Sequence, residues 1–378
     1  MIKSVYIHIP FCNNICSYCD FCKLYYNKKL ISNYLKALKE EVINNYKKEK
    51  LDTIYIGGGT PSALSLKELE ELFSIIKIFN MTSTYEFTFE CNYEDITEDL
   101  LRFLKSKKVN RISIGMQTFN KKYENFLERK INKKKMLESV KIAKKYFNNI
   151  NVDLLYGFDN EDIDELKDDL DIILSLKIPH ISTYCLILEE HTKLYIKNVK
   201  EENEDLQHDM YYKIVQTLKK KGYNHYEISN FSKDGYESKH NLVYWNNYNY
   251  YGFGLGASGF INNMRYNNTR NINNYINGKY VHDYEIIDKE QMVKDEVMLN
   301  LRKICGINKK EFYNKYKIDF KDAFDIKFLI DNKLIIESDT NIYVPEDKLF
   351  ISSEIIIRVL DEYRNIWLPY WFDLNCSV

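Results

Sequence analysis

From residue 5 to residue 186 the chain alternates short β-prone runs with amphipathic helical stretches, and this constrains its fold more than any other feature. Strands are expected at residues 5–9, 53–56, 85–90, 111–114, 151–155 and 180–186. Each carries β-branched or aromatic side chains over a few positions. Helices are expected between them at 31–46, 66–78, 97–107, 134–146 and 163–176. In the first, Leu35, Leu38 and Val42 share one face. Ser65 with Glu68 reads as a capping box that opens the second. Strand–helix units repeated in this order argue for a parallel α/β barrel or open sheet. Ligand chemistry then sits at the C-terminal ends of the strands. Unusual residues do follow those ends: Cys12 the first, Gly57, Gly58 and Gly59 the second, Glu90 the third, Gln117 the fourth, and Tyr156 with Gly157 the fifth.

Beyond a helix at 205–221 the character changes. Residues 222–278 are dense in Tyr, Asn and Gly. From 289 onward helices dominate (296–302, 309–316, 325–331 and 352–362) around a short β pair at 333–337 and 341–344. Three parts are therefore expected: a core at 1–205, an extension at 206–285, and a small, mostly helical C-terminal domain at 286–378 with a layout compatible with a winged helix. Lys+Arg number 54 and Asp+Glu 55, a net charge of −1. That balance gives no electrostatic case for nucleic acid. There is no apolar run long enough to span a membrane, and residues 1–4 lead straight into a strand, without the flanks of a signal peptide. A cytoplasmic protein is expected.

Four of the 8 cysteines lie between Cys12 and Cys22. Cys91, Cys185, Cys305 and Cys376 are scattered. A tight group in a large chain of this kind points to metal or redox chemistry rather than a disulfide framework. Cys12, Cys16 and Cys19 have the spacing C-x3-C-x2-C, which brings three thiolates to three corners of a cubane cluster and leaves one iron open. A zinc knuckle, which normally closes with four ligands, is the alternative on spacing alone. Gly57-Gly58-Gly59-Thr60-Pro61 is either a tight βα turn or a place where backbone approaches a ligand. Glu90, at a strand end, suits a pair of hydroxyls or a helix cap.

Taken together these residues resemble the radical S-adenosylmethionine (SAM) superfamily. The resemblance rests on the cysteine spacing just after the first strand, an aromatic residue before the last cysteine, and the GGGTP segment. It implies a partial (β/α)6 TIM-like barrel and a [4Fe-4S] cluster on Cys12, Cys16 and Cys19. It also implies SAM bound by the open iron and cleaved to a 5′-deoxyadenosyl radical. By the same resemblance, Tyr6, Gly57, Gly58, Gly59, Thr60, Glu90, Gln117, Arg129 and Asp153 are SAM contacts, with Arg129 facing the SAM carboxylate.

The segments Tyr6-Ile7-His8-Ile9-Pro10-Phe11-Cys12 and Cys19-Asp20-Phe21 are similar to a narrower branch. It holds oxygen-independent coproporphyrinogen III oxidases and the HemW family of heme-binding proteins regarded as chaperones. Four features favour the second. The first strand begins at residue 5 with no long extension before it. Phe21 stands where the oxidase has a fourth cysteine. Tyr226-Glu227-Ile228-Ser229-Asn230-Phe231 resembles a HemW segment, as does His240-Asn241-Leu242-Val243-Tyr244-Trp245. The last implies His240 as a heme ligand, a role open to neutral imidazole; from the residue alone, a structural histidine bonded to backbone is the stronger reading. His8 reads as a satisfied core histidine. Cys22 reads as a non-ligand, and residues 250–257 as a glycine-rich turn. The resemblance implies a heme chaperone that passes heme to a respiratory hemoprotein, with peripheral membrane contact left open. Porphyrinogen decarboxylation and methyl transfer are the alternatives, and whether SAM is turned over stays open.

Overall fold

The structure is a computed structural model; it describes residues 2–200 and 202–364, so Cys376 lies outside the described residues. The chain forms two compact units. The first comprises residues up to Asn224, Ser229–His240 and Asn249–Glu285. The second comprises His225–Ile228, Asn241–Tyr248 and the described residues from Ile286 to Arg364.

The first unit is built on β1 (Ser4–Ile9), β2 (Lys50–Gly58), β3 (Asn80–Asn92), β4 (Arg111–Gln117), β5 (Asn149–Tyr156) and β6 (His180–Cys185). They are parallel and adjacent in chain order. The helices that return the chain are α1 (Lys28–Asn45), α2 (Leu66–Ile76), α3 (Glu98–Ser106), α4 (Lys133–Ala143) and α5 (Ile163–Ser175), with α6 (Glu204–Lys220) after β6. Each begins on a polar cap. Ser65 and Glu68 form the expected capping box on α2, and Asp162 with Glu165 forms another on α5.

Further strands extend the sheet on both sides. β7 (Asn230–Ser232) runs antiparallel to β6. β8 (Tyr251–Phe253) runs parallel to β1, with Val5 opposite Tyr251 and Ile7 opposite Phe253. Residues 250–257 are thus not only a glycine-rich turn: they begin with a strand that covers the free edge of β1. Gly252 permits this, because a Cβ there would lie 1.8 Å from Ser258 O.

Register assigns the two faces. On the helix side, Ile7, Ile56, Phe89, Ile114 and Val152 are fully buried, and Phe73 of α2 packs on Phe87 and Phe89. The other face carries Tyr6, Tyr55, Glu90, Arg111, Ser113, Asn151, Asp153, His180 and Ser182; hydrogen bonds across neighbouring strands join Tyr55 to Glu90, and Ser113, His180 and Ser182 to Asn151. The inner side of this partial barrel is polar.

The second unit has helices Lys289–Asn300, Lys309–Tyr316, Phe320–Ala323, Lys327–Asp331 and Ser352–Asp361. They surround a sheet in which Asn341–Tyr343 pairs with both Ile307–Asn308 and Ile336–Glu337. Two of these strands correspond to the expected pair; Ile307–Asn308 is additional, a two-residue strand too short to show in sequence. Val297, Phe312, Phe320, Leu329 and Ile355 form its core.

Candidate functional site

The cysteine loop leaves the C-terminal end of β1. Phe11–Cys12 pairs in parallel with Leu24–Tyr25, so the intervening residues form a closed excursion. Ser17 anchors it: its N–H donates to Leu127 O at 3.1 Å, its Oγ to Phe126 O at 2.6 Å, and its O accepts from Leu194 N at 3.1 Å. Asn14 Nδ2 donates to Glu128 O at 2.5 Å. Cys12 is buried, and Cys16 and Cys19 are half-buried. Burial pushes the Cys12 thiol up to about 11; a bond from Thr60 opposes this, and the charges of Cys19 and Cys16 add to it. Cys19 is raised by burial too, against Lys23. The three thiols therefore share one electrostatic site, in which thiolates require a positive partner. Among the described residues no three His, Cys, Asp or Glu side chains converge tightly enough for a single metal ion. A cubane takes one thiolate at each of three separate irons, so spaced thiols on an anchored loop suit it better than they suit zinc.

Beside the loop, Thr60 Oγ1 lies 3.4 Å from Cys12 Sγ. Just before Thr60, the glycines at the end of β2 make room for other side chains. A Cβ on Gly57 would stand 2.7 Å from the Glu90 carboxyl. One on Gly58, which has φ +111°, would strike the His8 ring at 2.4 Å. Glu90 accepts from Gly58 N at 3.0 Å and from Tyr55 Oη at 2.6 Å. Burial raises its carboxyl to about 7 despite these donors, and Asp153 nearby adds to the rise.

Arg129 spans the next strand ends. Its Nη2 donates to Asn92 Oδ1 at 3.0 Å and Gly115 O at 2.8 Å, and its Nη1 lies 3.8 Å from Cys16 Sγ. Burial works against its charge, yet Tyr18 and Cys16 hold it up. Its buried Nε has no partner among the described residues. Gln117 ends β4 at φ 71°, where the β4–β5 register shifts between Gly115 and Gln117. A non-glycine residue in the left-handed region marks local strain of the kind found at ligand sites. Asp153 is held by Asn151 Nδ2 at 2.8 Å and Ser113 Oγ at 3.3 Å; burial raises it while these bonds and Arg111 draw it down. Tyr6 places its hydroxyl 3.0 Å from His8 Nδ1.

His8 is a core histidine with both nitrogens engaged: Nδ1 by Tyr6 and Nε2 by Cys22 O at 2.6 Å. Burial lowers its ring to about 4. Cys22 is buried beside Gly256, where an added Cβ would meet its Sγ at 2.9 Å. His240 is buried as well. Its Nδ1 lies 2.7 Å from Thr53 Oγ1, its ring tilts against Tyr55 at 5.1 Å, and its N–H donates to Glu86 Oε1. Burial, then Arg111, lowers its ring to about 3. Thr53 lies near the start of β2, away from the strand ends that carry the cysteines and Glu90.

Several residues of the site escape a reading based on motifs: Tyr55, Arg111, Ser113, Asn151 and His180. Arg111 is almost fully buried and its Nε has no partner among the described residues. The signal for them was present as polar–apolar alternation. Strands covered by helices on one side and buried on the other should be apolar on both faces, and these are not.

A polar-lined partial barrel with three thiols after its first strand, a glycine cradle after its second and an orphaned guanidinium between them defines a radical SAM protein. The Radical SAM superfamily profile matches residues 6–173. A heme chaperone HemW of Lactococcus lactis is 38% identical over 370 residues, 95% of this chain and 97% of that protein. A heme chaperone HemW of Bacillus subtilis is 35% identical over 380 residues, 96% and 100% of the two chains. The chain belongs to the HemW family. In fold it is similar to the coproporphyrinogen III oxidase HemN of Escherichia coli, described as a radical SAM enzyme, with a TM-score of 0.83 over 95% of this chain and 90% of that one at 19% identity.

Proposed function

We propose that this protein is a radical SAM heme chaperone. In this reading Cys12, Cys16 and Cys19 hold a [4Fe-4S] cluster, and SAM lies over the strand ends that carry Gly57–Thr60, Glu90, Gln117, Arg129 and Asp153. Heme is its cargo, delivered to a respiratory hemoprotein in the cytoplasm or at the inner face of a membrane. Among the described residues no helix is long and apolar enough to cross a membrane.

The observation that carries the cofactor part is the buried Arg129 Nε without a partner, beside Cys16. A guanidinium already holding Asn92 and Gly115 is fixed in direction, and its unpaired Nε–H suits a carboxylate. When bound, the cluster supplies the electron for reductive cleavage of SAM. The chain's own residues bind and orient: Glu90 accepts hydroxyl hydrogens, Thr60 steadies Cys12, and the anchored loop shields the thiols. The heme part is supported by the high, nearly full-length similarity to proteins named heme chaperone.

His240 enters this proposal as a heme ligand only if the helix Lys239–Trp245 moves, because its ring is buried between Thr53 and Tyr55. Anaerobic hemin titration of cluster-reconstituted protein tests the function. Saturable one-to-one binding is expected. Absence of specific binding, with carbon dioxide released from coproporphyrinogen III, would replace this reading with decarboxylation.

A further inference from the structure

After β8 the chain builds a small sheet in the order β9 (Ser258–Ile261), β10 (Met264–Asn268) and β11 (Val281–Ile286). β9 and β10 pair antiparallel. β11 is an edge: β10 occupies one of its sides, and among the described residues no strand occupies the other. Every residue of β11 is exposed. Val281 is 52%, Tyr284 68% and Ile286 59% exposed. A strand packed on a core hides one of its faces, whereas this one hides neither.

Alternation sorts its side chains. Val281, Asp283 and Glu285 lie on one face, and His282, Tyr284 and Ile286 on the other. β11 thus carries two acids and no lysine or arginine. Asp283 Oδ1 accepts from Asn267 Nδ2 at 2.9 Å, a neutral donor that leaves its charge in place. Neither acid has an ion-pair partner among the described residues.

An open edge offers main-chain N–H and C=O groups to any extended chain, and natural edges are blunted by lysine, proline, a bulge or a cover. β11 has no lysine, no proline and no cover, so Asp283 and Glu285 are its guard. A guard made of charge selects rather than blocks. It turns away a second copy of this chain. Antiparallel pairing of two β11 strands over most of their length sets Asp283 opposite Asp283 or Glu285, and like charges directly opposite are destabilising. It admits a strand with cations at those places.

We propose that the open edge of β11 is a docking site for an extended segment of another protein in which lysine or arginine alternates with β-branched or aromatic residues. The main-chain ladder supplies affinity. Cross-strand pairs supply the selection, with cations opposite Asp283 and Glu285 and apolar side chains beside Tyr284 on the other face. Neither the cysteine loop nor heme takes part in this recognition.

The test uses the full-length protein and three end-capped, fluorescently labelled hexapeptides. One alternates Lys and Val, one alternates Glu and Val, and one alternates Lys and Pro, which keeps the charge but cannot complete a ladder. Anisotropy gives Kd, and hydrogen exchange reads the amides of residues 281–286. Wild type should bind the Lys-Val peptide at least ~10-fold more tightly than either of the others, with slowed exchange across β11. D283K/E285K, at two exposed positions, should reverse the preference to the Glu-Val peptide, which an unfolded variant cannot do. Absence of binding, equal binding of the Lys-Val and Lys-Pro peptides, binding without slowed exchange in β11, or an unchanged preference in the variant overturns the site. Slowed exchange that depends on protein concentration and needs no peptide makes a second copy the occupant, and overturns it as well.

Discussion

The Glu90 carboxyl occupies the space that a side chain on Gly57 would need: a Cβ there would stand 2.7 Å from Glu90 Cδ. The two are on neighbouring strands, and the contact lets the carboxylate lie against the backbone under the cysteine loop. Gly57→Ala should displace Glu90 rather than unfold the barrel. We expect about 1–3 kcal/mol of destabilisation from overpacking. SAM binding should weaken at least ~10-fold, with cluster content unchanged. Calorimetric titration of SAM checks it, and unchanged affinity would remove Glu90 from the binding site.

Arg111 opposes burial at two carboxylates, drawing down both Glu90 and Asp153. The titratable groups around it also include His180, His240 and Tyr55, whose rings feel its charge. An ionised Glu90 accepts hydroxyl hydrogens more strongly than its neutral form, so SAM affinity should rise with pH through about 7. Arg111→Met should move that midpoint upward by about one unit. Stability above that midpoint should fall, because both buried carboxylates lose the positive charge that opposes their desolvation. A midpoint that stays in place in the variant argues against this coupling.

Glu41 of α1 ties the chain after β8 to the core. It accepts from Gly254 N at 2.9 Å, Asn268 Nδ2 at 2.6 Å and Tyr275 Oη at 2.5 Å. Burial nevertheless raises its carboxyl to about 7. A raised carboxyl pKa in the folded state favours the protonated form. Its contribution is therefore fully present below the unfolded value near 4.5 and is lost as pH rises to about 7. Against Glu41→Gln, which does not titrate, the wild type should lose roughly 1–4 kcal/mol of relative stability across that window. Urea unfolding at several pH values measures this, and a gap independent of pH would show that the three donors keep Glu41 ionised throughout.

Cys22 stands outside the set of cluster thiols. Its carbonyl, not its sulfur, is what His8 uses, and its Sγ packs toward Gly256 and Arg270. Cys22→Ala should retain iron and sulfide after anaerobic reconstitution, whereas alanine at Cys12, Cys16 or Cys19 should abolish them. Loss of iron in Cys22→Ala would make it a fourth ligand and close the open iron.

Local spacing alone was enough for much of this protein. The alternation of period-2 and period-3.6 patterns places six parallel strands and their helices to within a few residues, because each depends on neighbours along the chain. Cys12, Cys16 and Cys19, the glycine run and Glu90 stand out for the same reason: they are unusual residues at predictable strand ends. Tertiary structure decided the rest. Tyr251–Phe253 becomes a strand only because β1 offers an unpaired edge, more than 240 residues earlier in the chain. Ser113, Asn151 and His180 become one network only when register sets them side by side on the inner face. Glu41 and His240 are ordinary residues in sequence. Burial makes the first an anchor and removes the second from solvent, and burial is a property of the assembled chain, not of any segment of it.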